Sequence, residues 1–142
     1  MAKLLIEKSA ENFIASRILF TSPNNYYCSS AHSIYYSLFQ ILKHLILYKY
    51  NLSESEIIDR RRDVSGRLRS EHEFTIEFVR KRLHDNNDRF LARDVQTIVG
   101  ELKELRTQAD YLEIEVSYNK VKAAYEKADI LHSKLKTKFN LT

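Results

Sequence analysis

Residues 105–111, Leu-Arg-Thr-Gln-Ala-Asp-Tyr, bring a guanidinium, a carboxylate and a phenol within two turns of a predicted helix. By helical spacing Arg106 shares the apolar stripe of Val95, Val99 and Leu102, so its cation is directed toward the core side. A buried charge is costly unless it is paired. The structural reading pairs Arg106 with Asp110 at i+4, although cation-first is the weaker order for such a pair. The functional reading holds the cation in a cleft with Asp110 and Tyr111 beside it. These three are the candidate catalytic residues.

A second concentration of charge lies upstream. Arg60, Arg61, Arg62, Arg67 and Arg69 fall within ten residues, and Arg80, Lys81 and Arg82 follow one helix later. Phosphate contacts need cations at such density, and guanidinium adds bidentate geometry. Asp59, Asp63, Glu71 and Glu73 are interleaved, so a solvated mixed-charge surface accounts for the same residues. Arg60, Arg61, Arg62, Arg67 and Arg69 form the candidate nucleic-acid-binding set.

Other chemistries find no support. Two glycines, neither followed by Lys-Ser/Thr, cannot build a phosphate-cradling loop. One cysteine and five scattered histidines, no two spaced i, i+4, do not make a zinc site, and no serine sits in a nucleophile elbow. No metal and no cofactor is expected. His72 opens a predicted helix, where the dipole favours a neutral ring. His132 lies on an apolar stripe between Ala128 and Leu135. Both read first as packing or capping groups.

The elements that must position these residues are helical. Two glycines and one proline leave too little punctuation for an all-β chain, and 30% charged with 44% hydrophobic residues suits a helical protein. The stretch from Ser22 to Tyr50 organises the rest. Ser22 is placed to cap a helix whose first residue is Pro23, and apolar residues recur at Tyr27, Ala31, Ile34, Leu38, Ile41, Leu42 and Leu45. A second face carries His32, Tyr36 and Lys43, and a third strip Ser33, Ser37 and His44. A preceding helix from Ala2 to Phe20 faces the core with Ile6, Ala10, Phe13, Ile14 and Phe20, and the short break predicts an antiparallel hairpin.

Downstream, Ser53-x-x-Glu56 reads as a capping box opening a short helix through Arg62, with Gly66 ending that piece. Ser70-x-x-Glu73 opens a helix with a His72, Ile76, Val79, Leu83 stripe. A helix from about Arg89 to Ala109 buries Leu91, Val95, Ile98, Val99, Leu102 and Leu105. Ser117 caps a last helix with Val121, Ala124, Tyr125, Ala128, Leu131 and Leu135 on one stripe. The expected architecture is all-α, one domain over residues 1–142, an antiparallel four-helix up-down bundle with a short extra helix in the second connection. The lone Cys28 and the absence of a secretory-type segment predict a cytoplasmic protein. Gln40, Lys43 and His44 interrupt the apolar run, so no membrane span is expected. A net charge of +4 and a pI near 9.1 permit a polyanionic partner without demanding one.

Taken in order, Tyr26-Tyr27, Ser33-Ile34-Tyr35-Tyr36-Ser37-Leu38-Phe39, His72 opening the third main helix, and Arg106 to Tyr111 before the last helix resemble the HEPN domains. These are small helical domains linked to nucleotide and RNA chemistry, and the resemblance spans nearly the whole chain. It implies an antiparallel bundle, often dimeric, with the arginine motif of each subunit facing a shared cleft. Many members are metal-independent ribonucleases carrying Arg, four to six residues, then His. Others are toxins restrained by a nucleotidyltransferase partner, or binding modules without activity. Here the fifth residue after Arg106 is Tyr111, a poor general base at neutral pH where imidazole is suited. A literal Arg-x4-His does occur, Arg67 to His72, but it crosses the Ser70 capping box at a helix start and is read as chance.

Two functions are therefore expected. The first is a dimeric RNA- or nucleotide-binding or regulatory module, the HEPN half of a toxin–antitoxin or defence pair with a nucleotidyltransferase; the missing histidine favours it. The second is a ribonuclease using Arg106, with Tyr111, His32 or His72 replacing the base. The His32, Tyr36 and Lys43 strip is the expected homodimer interface, unless the short helix and the last helix cover it within one chain.

Overall fold

The structure, a computed structural model, describes residues 4–141. Its elements are helices α1 (Leu4–Thr21), α2 (Tyr27–Tyr48), α3 (Glu54–Arg61), α4 (Glu71–Asp85), α5 (Arg89–Asp94), a π-helical turn (Val95–Val99), α6 (Gly100–Tyr111) and α7 (Tyr118–Phe139). Among the described residues there is no strand, only an isolated antiparallel bridge between Arg62 and Leu68. The protein is all-helical, and none of the described helices is long and apolar enough to cross a membrane.

α2 is the hub. It packs against α1, α4, α6 and α7, and it is buried on more sides than its apolar stripe alone requires. Tyr35, Ser37, Phe39, His44 and Ile46 are buried along with Ile34, Leu38, Ile41, Leu42 and Leu45. Of the third strip, Ser37 and His44 are buried, Ser37 against His132 of α7.

Three expectations change. α2 begins at Tyr27, not Pro23, and Tyr26 at its N-cap makes no side-chain capping bond. Ser22 instead organises a turn: its carbonyl accepts from Asn25 N–H (3.0 Å), its hydroxyl from Asn24 N–H (3.3 Å), and Asn25 takes φ +56°. That turn uses the residues that would have been the first helical turn. The expected start of the first helix at Ala2 lies outside the described residues. Within α1, Ile6, Phe13 and Phe20 do face the core, but Ala10 is exposed and Ile14 and Ile18 are each 62% exposed. Their places are taken by Ser9 and Ser16, both buried, whose small side chains let α1 lie close on α2.

The predicted caps fare better. Ser53 and Glu56 form a reciprocal capping box, and Ser70 and Ser117 accept from the backbone N–H of Glu73 and Lys120. Left-handed backbone is supplied mainly by asparagine: Asn25, Asn51, Asn87 and Asn140 all have positive φ, as does Gly66. Asparagine tolerates that region better than other side-chain-bearing residues, so Gly66 is the one glycine the turns use. The rod from Arg89 to Tyr111 is continuous but contains the π turn, absent from the periodicity. The turn keeps Val95 and Val99 buried together with Leu91 and Leu102.

Candidate functional site

Arg106 occupies a cage built by two helices. α6 directs it at α2, where its guanidinium carbon sits 5.3 Å from the ring centres of both Tyr35 and Tyr36, and 5.8 Å from that of Tyr111. Its side chain is only 13% exposed. Arg106 Nε donates to Asp110 Oδ2 (3.3 Å) and an Nη to the Tyr111 hydroxyl (3.3 Å). The i, i+4 pair anticipated from spacing is present, and the side chain does turn toward the core. Three aromatic faces and one carboxylate offset its desolvation.

The same Asp110 oxygen has a second partner that spacing could not show. His32, from α2 and 78 residues distant in the chain, places Nδ1 2.9 Å from Asp110 Oδ2. A carboxylate only accepts, so Nδ1 carries the proton and donates. In the neutral ring Nε2 is then left as an acceptor, and the His32 side chain is 48% exposed. Its ring also lies 4.6 Å from that of Tyr36. An imidazole oriented by a carboxylate, beside a guanidinium, is an arrangement able to move a proton near an anion.

His72 forms the inner wall. It opens α4 as predicted and stacks on Phe39 (4.4 Å) and Tyr35 (5.5 Å), with Tyr36 edge-on at 5.8 Å. Burial, reinforced by the Arg106 and Lys103 charges, lowers its pKa, so the ring is held neutral. Burial also raises the Tyr35 pKa, keeping that phenol protonated, and it donates to His72 Nδ1 at 2.6 Å. His72 is thus occupied by packing and a hydrogen bond, as its sequence context indicated, and it reaches Arg106 only through the tyrosines.

The expected interface strip is partly absorbed by the fold. Lys43 Nζ lies 2.7 Å from Glu71 and 3.4 Å from Glu54, and these two carboxylates hold its pKa above the ordinary value despite burial, which acts the other way. α3 therefore covers this end of the strip through Glu54. Tyr36 is half-buried under Arg106, and His32 is the most exposed of the three.

The five clustered arginines divide. Arg61 Nε donates to the Arg69 carbonyl (2.9 Å), and Arg69 donates to the carbonyls of Arg61 and Arg60 and to Glu77. These two close the Arg62–Leu68 loop on itself. Arg62 makes one long bond to the Gly66 carbonyl (3.4 Å), and Arg67 carries no side-chain hydrogen bond among the described residues. Arg60 leaves the group and lies over Phe78 of α4.

Among the described residues no group of three or more His, Cys, Asp or Glu side chains is placed to hold a metal ion. No family model matches the chain, and no curated protein or solved structure matches it.

Proposed function

We propose that this chain is a HEPN-like, RNA-associated binding module with a four-helix antiparallel plan, and that Arg106 is the point at which it meets an RNA phosphate. The observation that supports this most is the shared Asp110 oxygen. It fixes Arg106 on one side and an exposed His32 on the other, so a cation and an orientable imidazole meet at one edge of α2 and α6. The reading includes the homodimer and nucleotidyltransferase partner that the resemblance implies, with His32 the outward member of the expected interface.

The Asp110–His32 bond also favours a second reading, metal-independent RNA cleavage at the same site. His32 Nε2 takes the proton of the ribose 2′-hydroxyl, the 2′-oxygen attacks phosphorus, and the 5′-oxygen leaves with a proton from solvent. Arg106 faces the charge gathered on the phosphoryl oxygens. In this reading His32 replaces the histidine missing after Arg106. Tyr111 serves as a hydroxyl partner of the guanidinium, not as the base.

A ribonuclease assay in EDTA, run beside fluorescence anisotropy with a labelled RNA oligonucleotide, separates the readings. The binding module predicts no cleavage by the parent and at least a tenfold weaker affinity for Arg106→Gln. The nuclease predicts cleavage that His32→Ala reduces by the factor of about 10²–10⁴ typical of general acid–base catalysis, while Tyr111→Phe retains most of it. RNA binding unchanged in Arg106→Gln, with no cleavage by the parent, would leave Arg106 a purely structural cation.

A further inference from the structure

Apart from this cage, residues of α3, of α4 and of the loops beside them line two adjoining notches of about 260 and 290 Å³. Both are lined by Arg60, Phe78 and Lys81; Arg69 and Phe74 extend one, Arg82 and Asp85 the other. The sequence places Lys81 and Arg82 some twenty residues from Arg60, and only the tertiary fold gathers them. Two guanidiniums converge on one ring: Arg60 lies 5.9 Å and Arg82 5.1 Å from the Phe78 centroid, and Arg82 also lies 5.7 Å from that of Tyr50.

What distinguishes these cations from others on the surface is that they line the same notches, two of them over one ring, and have no paired counter-charge there. Lys43, Lys127, Lys134 and Lys138 each have a carboxylate within ion-pair distance, and Arg69 uses Glu77, the acidic residue of its own notch. Among the described residues no carboxylate lies within that distance of Arg60, Lys81 or Arg82, and Asp85 is directed at His84 (3.7 Å). Three like charges drawn together around an aromatic support repel one another unless an anion joins them. Guanidiniums held over a ring keep N–H groups for a phosphate, and guanidinium planes also suit a nucleobase.

We propose that the Arg60–Lys81–Arg82 notch binds the phosphodiester backbone of single-stranded RNA as a site separate from Arg106. The proposal rests on the RNA reading above for its choice of polyanion. It replaces the linear arginine run as the binding surface: Arg60 belongs to the site, whereas Arg61 and Arg69 hold the loop together and Arg62 and Arg67 stand outside it.

The test compares two double variants that remove equal charge, Arg60→Gln/Lys81→Gln in the notch and Arg62→Gln/Arg67→Gln in the loop. Affinity for a labelled oligouridylate is measured by anisotropy between 25 and 200 mM salt, with thermal melts confirming that each variant folds. Each single-strand phosphate contact contributes about 0.7 to the slope of log affinity against log salt. The notch variant should therefore lose about 1.4 and the loop variant little. Equal losses in both variants, or no loss in the notch variant, would overturn the site. So would a parent that binds no oligouridylate at 25 mM salt, or that binds only vesicles of anionic lipid. Arg106→Gln separates the two proposals: full binding there with a reduced slope in the notch variant leaves the notch standing and removes the Arg106 reading.

Discussion

Two polar clusters flank α2, and they contrast in what surrounds them. Toward α1 and α7, Ser9, Ser16, Ser30, Ser37 and His132 are all buried. Ser9 donates to the Ser37 carbonyl, Ser30 to the Ser16 carbonyl (2.7 Å), Ser16 to the Phe13 carbonyl (2.6 Å) and Ser37 to the Ile34 carbonyl (2.7 Å). With the Ser37 proton so used, His132 Nε2–H donates to Ser37 Oγ at 2.9 Å. Every hydroxyl in that cluster is spent inside the protein, and the small side chains let two helix backbones approach. Toward α4 and α6, the Arg106 cluster keeps an exposed His32 with an unused ring nitrogen. Both clusters contain a histidine hydrogen-bonded to an oxygen from another helix, so that feature alone does not mark a site. Access to solvent and an unspent acceptor do.

The two largest effects are both expected on the buried side. Ser37→Leu forces a branched side chain into the α1–α2 contact and strands His132, and it should destabilise by about 3 kcal/mol through overpacking and an unmet donor. Chemical denaturation measures this directly. A loss under about 1 kcal/mol would mean that the helices separate easily and the serines do not set their spacing.

The buried side is tested a second time by its pH response. Burial, with a smaller push from Lys136, lowers the His132 pKa to about 3. The unfolded chain, with an ordinary histidine near 6.5, then binds more protons than the native state over that interval. Stability from this group is present in full above about pH 6.5 and is lost as pH falls toward about 3, with a slope of up to about 1.4 kcal/mol per pH unit. His132→Leu, which keeps the volume and removes the titration, should flatten the stability profile over that range relative to the parent. An unchanged slope would show that His132 is hydrated in the native state.

The smallest effect belongs to the open side. Arg106→Ala removes an ion pair and three aromatic contacts, yet Asp110 keeps His32 as a partner and lies near solvent. A loss of about 1 kcal/mol, a few degrees of melting temperature, is expected. A loss of 3–5 kcal/mol, the range for one partner of a buried pair, would move Arg106 into the same class as His132.

Much of this contrast can be traced back along the chain. Helical class, the stripe of α7, the Ser53, Ser70 and Ser117 caps, and the i, i+4 relation of Arg106 to Asp110 all depend on neighbours within a few residues. Periodicity and capping therefore determine them. The turn at Pro23 was missed because Ser-Pro is equally suited to a helix start and to a turn, and the Asn25 left-handed conformation settled it. The inward placing of Ser9 and Ser16 over Ala10 and Ile14 was not legible in α1, where apolar residues occur on opposite faces. Only the close approach of α2 decides between those faces.

The site depended still more on tertiary structure. The sequence alone identified Arg106, Asp110 and Tyr111 as a unit and suspected His32 as a substitute base, but it had no means of bringing positions 32 and 110 together. It grouped arginines by adjacency, whereas folding sorted them by which partners each side chain reaches: Arg61 and Arg69 into loop closure, Arg60 across to Phe78, Lys81 and Arg82. Charge in a sequence is counted along a line, and its interactions fall off with distance in space. That is why composition determined that this protein carries excess cations, and only the tertiary placing of α3 and α4 and the packing of α2 on α6 decided which of them gather at an aromatic ring.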